Sequence, residues 1–406
     1  MIHRIAAGAA TIVTGAVLGS CAAAPVSTGT PGRTPTARAS ATAQPTATPR
    51  PVPRGPFGVV VTNSGRTGTT YAVLLVDVNG RVVAQAAGNL PLIKSNQSVD
   101  LPLVSASSTK VYYRSGDTDI YSLAPDGTTA RVRTIPDGAS AELAFAVKPD
   151  DQRIAVVAIN EAVDATKDTG HGYVEDLSGA TNHVDLFRNT SNDAFRWPVG
   201  WHGDSIVDAA GNCGGNYGYN GPQAGGVARP CSYHVVDAVS GSRRAIVCET
   251  PATQPGGGDY YSLQGGPTAV GTACEENQGD YNNGGHTDAM MSVDWSGSEH
   301  AYLSLNSTVC CSASIPLTGC LLSVDASRMA CVGSSNAAVT LLNKNGSTHD
   351  LGRRYALLGW IDAGHLLVGV DTNTLGVLQP DTGTLTTLAL ASADKTIFGA
   401  NLPGDL

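Results

Sequence analysis

Charge is scarce in this 406-residue chain, with Asp, Glu, Lys and Arg together at 15%, and no acidic residue occurs before Asp77. From Phe57 onward, 20 Lys and Arg stand against 34 Asp and Glu, a net of −14. That balance excludes nucleic acid and anionic lipid surfaces as partners of this part, because both need clustered cations. Long apolar runs are also missing. The longest, Ile5 to Gly19, has 15 residues, fewer than the roughly 20 of a spanning helix. No extended segment repeats apolar residues at helical spacing, which excludes a helical bundle. No Cys-x-x-Cys occurs, so zinc-ribbon and thioredoxin-type chemistry have no carrier. Catalytic motifs are fragmentary. Ser107-Ser108-Thr109-Lys110 lacks the companion segments that its chemistry needs, Gly203-Asp204-Ser205-Ile206 reads as a tight turn, and the calcium-like Asp371 to Gly376 lacks a closing Glu.

What is present begins at the N-terminus. His3 and Arg4 precede the apolar run, which ends in Leu18-Gly19-Ser20-Cys21. These residues resemble a bacterial lipobox. The resemblance implies a signal peptide over 1–20, cleavage before Cys21, lipidation of its sulfur, and a mature protein held on the outer face of the cell membrane. Residues 22–55 are Ala, Pro, Thr, Ser and Arg with almost nothing to bury. Residues 21–56 therefore read as the lipidated Cys and a disordered tether. Its 34 residues from Ala22 to Gly55 reach about 100 Å when extended.

Eight cysteines remain after Cys21: Cys213, Cys231, Cys248, Cys274, Cys310, Cys311, Cys320 and Cys331. In an exported chain an even number reads as disulfides, with connectivity open. The favoured pairs are Cys213–Cys231 and Cys248–Cys274, with the last four paired among themselves.

Residues 57–406 are dominated by short Val/Leu/Ile/Tyr runs separated by Gly, Asn, Asp and Ser, which predicts an all-β domain. One hairpin pattern recurs seven times: Leu74–Ala87, Tyr121–Ile135, Val184–Trp197, Val235–Val247, Ser292–Ser304, Leu341–Leu351 and Val377–Leu388. Its Asp/Asn/Gly turns supply the positive φ that tight hairpins need. A second hairpin lies between copies, as in Ala146–Val157 and Ser323–Val332. These segments, with Pro149-Asp150 or Asp325 before a basic residue and an apolar strand, resemble TolB-like and WD-repeat-like β-propeller blades. Two hairpins per repeat make one four-stranded blade, so seven blades are expected, with six or eight also compatible. Ring closure is assigned to a strand near Ile397–Ala400 joining those from Phe57 to Ala87.

With strands A to D counted from the axis, three insertions (Val163–Asn182, Gly211–Pro230, Cys274–Asp288) fall between B and C and should emerge on one face. Tyr, Asn and Gly in such loops suit a recognition surface, so Tyr173, Tyr217, Tyr219, Asn220, Tyr281, Asn282, His286 and Asp288 are the candidate binding residues. Loop acids (Asp164, Asp168, Glu175, Asp176, Glu275, Glu276, Asp280 and Asp288) could supply oxygen ligands to calcium. Otherwise no cofactor, metal or catalytic residue is read. His171 and His286 have no partner at diagnostic spacing. Trp201, Trp295 and Trp360 are expected on strands, in the inter-blade core. The expected role is a tethered binding protein for a protein or cell-wall glycan. The alternative is an extracellular propeller enzyme of glycosidase, lyase or lactonase type, which would show convergent acids or histidines in the axial channel.

Overall fold

The computed structural model describes residues 53–406 apart from 63–68, 93–100, 161–168, 180, 191–195, 211–229, 231, 249–259, 281–284, 308–316, 334–337, 372, 391–395 and 405. Among them, 28 strands (β1–β28) form seven antiparallel sheets of four, a seven-bladed β-propeller. Blade 1 has the order β28-β1-β2-β3. There β28 (Ile397–Leu402) pairs with β1 (Phe57–Thr62), followed by β2 (Thr70–Asp77) and β3 (Val82–Asn89). The two ends of the ring thus share one sheet, which leaves no open gap between first and last blade. No helix among the described residues is long and apolar enough to cross a membrane.

The reason for a ring is visible in single strands. In β1 every residue is buried, Phe57 through Thr62. Alternate side chains leave opposite faces of a strand, and here Val59 and Val61 pack with blade 2 while Val60 packs with blade 7. A sheet apolar on both faces needs a neighbour on each side. Seven apolar clusters fill the seven seams. Trp201 shows the depth of one seam: it is 2% exposed, and its Nε1–H donates to the Ala146 carbonyl of the preceding blade at 3.0 Å. Trp360 repeats the device in blade 7, donating to the Leu321 carbonyl at 2.9 Å.

Six of the seven recurrent hairpins join strands C and D of a blade. In blade 1 the Asp77 carboxylate accepts the N–H groups of Asn79 and Arg81, both at 2.9 Å, and Gly80 takes φ 72°. Bulges interrupt the C–D pairing in blades 1 to 6, adding the twist that lets blades fan around an axis. The seventh copy departs from expectation. Val184–Trp197 runs from β11 (Val184–Thr190) in blade 3 to β12 (Arg196–His202) in blade 4, so it is a crossing between blades. The true outer hairpin of blade 3 joins β10 (Thr169–Asp176) to β11, and Asn182 supplies the positive φ, 52°, near its turn.

Two expected insertions are also corrected. Thr169–Asp176, within Val163–Asn182, is β10 itself, and Cys274–Asp288 lies largely within paired strands, β17 (Thr272–Asp280) and β18 (Gly285–Val293). Trp295 is buried but sits in a turn, its Nε1–H donating to the Thr268 carbonyl at 3.0 Å.

Candidate functional site

Strand order decides where the connections leave the disc. B–C and D–A connections share one rim, whereas A–B and C–D turns share the other. Connections of nine or more residues (90–103, 211–231, 248–259 and 308–316) all begin and end on the first rim, and none on the second exceeds the eight residues of 264–271. Of the candidate binding residues, Tyr217, Tyr219, Asn220, Tyr281 and Asn282 lie outside the described residues, as do Cys213, Cys231, Cys310 and Cys311. His286 and Asp288 are placed on β18. Tyr173 is not on the rim: it is buried in the seam between blades 2 and 3, its hydroxyl donating to Asp137 at 3.0 Å. Two disulfides are described. Cys248, just after β15 (Arg243–Val247), is bonded to Cys274 of the next blade with Cα atoms 6.0 Å apart, and Cys320 to Cys331 within blade 6, 4.0 Å apart.

The axis holds a cavity of about 350 Å³. Its wall comes from the innermost strands, with Trp197, Trp201, Leu358, Trp360 and Phe398 among its lining. Glycines let this wall close up. A Cβ on Gly200 would stand 2.0 Å from Leu406 Cδ1, whose own N–H donates to the Trp201 carbonyl. Among the described lining residues Asp362 is the one charged side chain, and its carboxylate is engaged by the Gly364 N–H and His365 Nδ1, both at 2.8 Å. The convergent acids and histidines expected of an enzyme channel are not brought together there among the described residues.

Polar chemistry gathers instead on the outer hairpin of blade 3 and the two middle strands of blade 4. In blade 3, alternation puts His171, Tyr173 and Glu175 on one face of β10, and the pairing sets Asp185 opposite Tyr173. His171 Nε2 lies 2.6 Å and His183 Nε2 lies 3.2 Å from the same Asp185 oxygen. Arg188 stands 3.4 Å from that carboxylate. The hydrogen bond from His171, then those from His183 and Arg188, hold the Asp185 carboxyl down at about 2. Behind them Glu175, 5% exposed at its side chain, faces His183 Nδ1 at 3.5 Å and is ion-paired to Arg133 of blade 2. The Tyr173 ring lies 5.1 Å from the His171 ring and 4.8 Å from that of His183. His171 thus has partners 12 and 14 residues away that only the hairpin brings near, and His183-x-Asp185 was the one local hint. The calcium reading fares differently. Glu175 is occupied by Arg133, Asp176 accepts hydrogen bonds from Thr181 and Asn182, and Asp164 and Asp168 lie outside the described residues.

In blade 4, Asp208 on β13 (Ser205–Ala210) sits directly across from His234 on β14 (Ser232–Asp237). Both are buried, and neither Asp208 Oδ2 nor His234 Nδ1 has a hydrogen-bond partner among the described residues. Burial pushes the Asp208 carboxyl up to about 7, against the pull of Arg196. Burial lowers His234 to about 4, and the charges of Arg196 and Arg243 act in the same direction.

The fold and these sites define the class: a seven-bladed β-propeller with a mainly apolar axial cavity and polar clusters set away from the axis in blades 3 and 4. No family model matches the chain, and no curated protein matches it. Solved structures share the fold at low identity. An oligogalacturonate lyase in complex with manganese is 13% identical over 78% of this chain and 81% of its own, with a TM-score of 0.44. An acylaminoacyl peptidase from Pyrococcus horikoshii is 12% identical over 82% of this chain and 52% of its own, TM-score 0.43. A nidogen/laminin complex gives 10% identity, 72% and 95% coverage, and a TM-score of 0.36. Enzymes and binding proteins both occur among them, and likeness at these TM-scores assigns no role to this chain.

Proposed function

We propose that this chain is an exported, lipid-anchored binding protein whose propeller presents one rim to a protein or cell-wall glycan. The observation that carries this reading is that every connection of nine or more residues begins and ends at strand ends on a single rim. A rigid disc positions such connections as a surface without each needing its own core. The Leu18–Cys21 segment supports the anchor, and the tether of 34 residues gives the disc a reach of about 100 Å from the membrane. The mainly apolar axial cavity supports recognition at the rim over catalysis at the axis.

Two experiments test the reading separately. Labelled fatty acid fed to expressing cells is incorporated into the wild type and not into Cys21→Ser; equal labelling removes the anchor. Purified protein retains isolated wall glycan or surface-protein extract on a column, and replacing 211–230 with a Gly-Ser linker of equal length abolishes retention. Undiminished retention by that variant removes the rim as the binding surface.

A further inference from the structure

We propose that His171, His183 and Asp185 form a binding site for a divalent transition ion of the zinc class, at the outer end of the seam between blades 2 and 3. The inference does not rest on the rim reading. Two imidazole nitrogens and a carboxylate oxygen, one from each residue, all lie within 4.8 Å of one another. A tetrahedron with bonds of about 2.0–2.2 Å sets its corners about 3.3–3.6 Å apart, so an ion at the centre draws the widest pair of ligand atoms together and opens the 2.6 Å contact between His171 and Asp185. Two imidazoles with one carboxylate select zinc and its neighbours over calcium or magnesium, which prefer all-oxygen shells. Side-chain exposures of 25% for His171, 42% for His183 and 50% for Asp185 leave an entry path and a fourth position open to solvent.

The surroundings are those of a supported ligand set. Glu175 faces Nδ1 of His183, so a proton on that nitrogen leaves Nε2 free as the ligand, the outer-shell arrangement that orients metal-binding histidines. Arg133 fixes Glu175 from the neighbouring blade, and the Tyr173 ring, tethered through its hydroxyl to Asp137, packs beside both imidazoles. All three ligands stand on, or one residue from, the paired strands of one hairpin, which hold geometry better than a loop. The competing account is an ion-pair cluster, in which both Nε2–H groups and Arg188 simply donate to Asp185. The two accounts separate on metal affinity.

The test is titration of the purified protein, carrying no polyhistidine tag, with Zn²⁺ against a chromophoric chelator at pH 7.5. Co²⁺ serves as a second probe through its visible absorption when tetrahedral. One equivalent binds to the wild type, and Zn²⁺ raises the thermal midpoint by mass action. His171→Ala and Asp185→Asn each lose the equivalent and the shift, while Glu175→Gln weakens binding roughly 10-fold. Unchanged circular dichroism of the metal-free variants shows that they fold. Should His171→Ala fail that check, the more exposed His183→Gln and Asp185→Asn carry the comparison. Absence of stoichiometric binding in the wild type, or equal binding by wild type, His183→Gln and Asp185→Asn, overturns the site.

Discussion

Blades 3 and 4 each set a carboxylate beside histidine, and the two arrangements are opposite in character. In blade 3 the Asp185 carboxylate collects donors from His171, His183 and Arg188 at the surface, and its carboxyl is held low. In blade 4 Asp208 and His234 are buried, each with one atom that has no hydrogen-bond partner among the described residues, and burial drives both toward their neutral forms. Residue type is therefore a poor guide to charge in this protein; the hydrogen bonds and solvent available to each group decide it. The first is a solvent-facing carboxylate gathering its donors, and in the second burial favours the neutral form of each group.

The largest expected effect removes the wall between those two blades. Trp201→Ala empties the centre of their seam and should cost about 3–5 kcal/mol in denaturant unfolding, because a large void there cannot collapse against paired strands. Loss of under about 1 kcal/mol would mean the blades stand independently.

Next come the opposed titrations of blade 4. The Asp208 carboxyl is raised on folding, so its contribution is fully present below the unfolded value near 4 and is lost as pH rises to about 7. His234 is lowered on folding, so its contribution is present above the unfolded value near 6.5 and is lost as pH falls toward about 4. In the wild type the two slopes oppose each other. In His234→Gln stability should fall from pH 4 to 7, by up to roughly 4 kcal/mol. In Asp208→Asn it should rise from pH 4 to 6.5. Parallel pH profiles for wild type and both variants would contradict this account.

A covalent cross-link gives the third. Cys248–Cys274 ties blade 4 to blade 5 and closes a loop with a sequence separation of 26, so the double Ala variant should lose about 3 kcal/mol. Cys320–Cys331 spans a separation of only 11 within one sheet, and its removal should cost less. The reverse ranking would show that the longer bridge restrains little in the unfolded chain. The smallest effect returns to blade 3. Metal-free Asp185→Asn should shift stability by less than about 1 kcal/mol, since exposed ion pairs contribute little. A larger loss would make that cluster a structural one.

Much of the architecture was legible because the outer hairpins advertise themselves. Asp77, Asp237 and Asp294 each accept backbone N–H groups within their turns, and Gly80, Gly241 and Gly297 take positive φ, so the repeat could be counted from these residues. Blade 3 was misplaced for the same reason in reverse. Near its turn Asn182 takes the left-handed conformation, while Ser191-Asn192-Asp193 in the next crossing imitates the pattern. Tyr173 was mistaken for a rim residue because Gly170, His171, Gly172, Glu175 and Asp176 give its strand a loop-like composition. Its cross-strand neighbours and the facing blade bury it nonetheless.

The amino-acid order alone determined an all-β ring of repeated hairpins, because turn chemistry and two-residue alternation are local properties of the chain. Only the tertiary structure decided which distant side chains meet: His171 with His183 and Asp185, and Asp208 with His234. Those meetings depend on register and blade packing, and a shift of one residue in pairing would send each of these side chains to the opposite face.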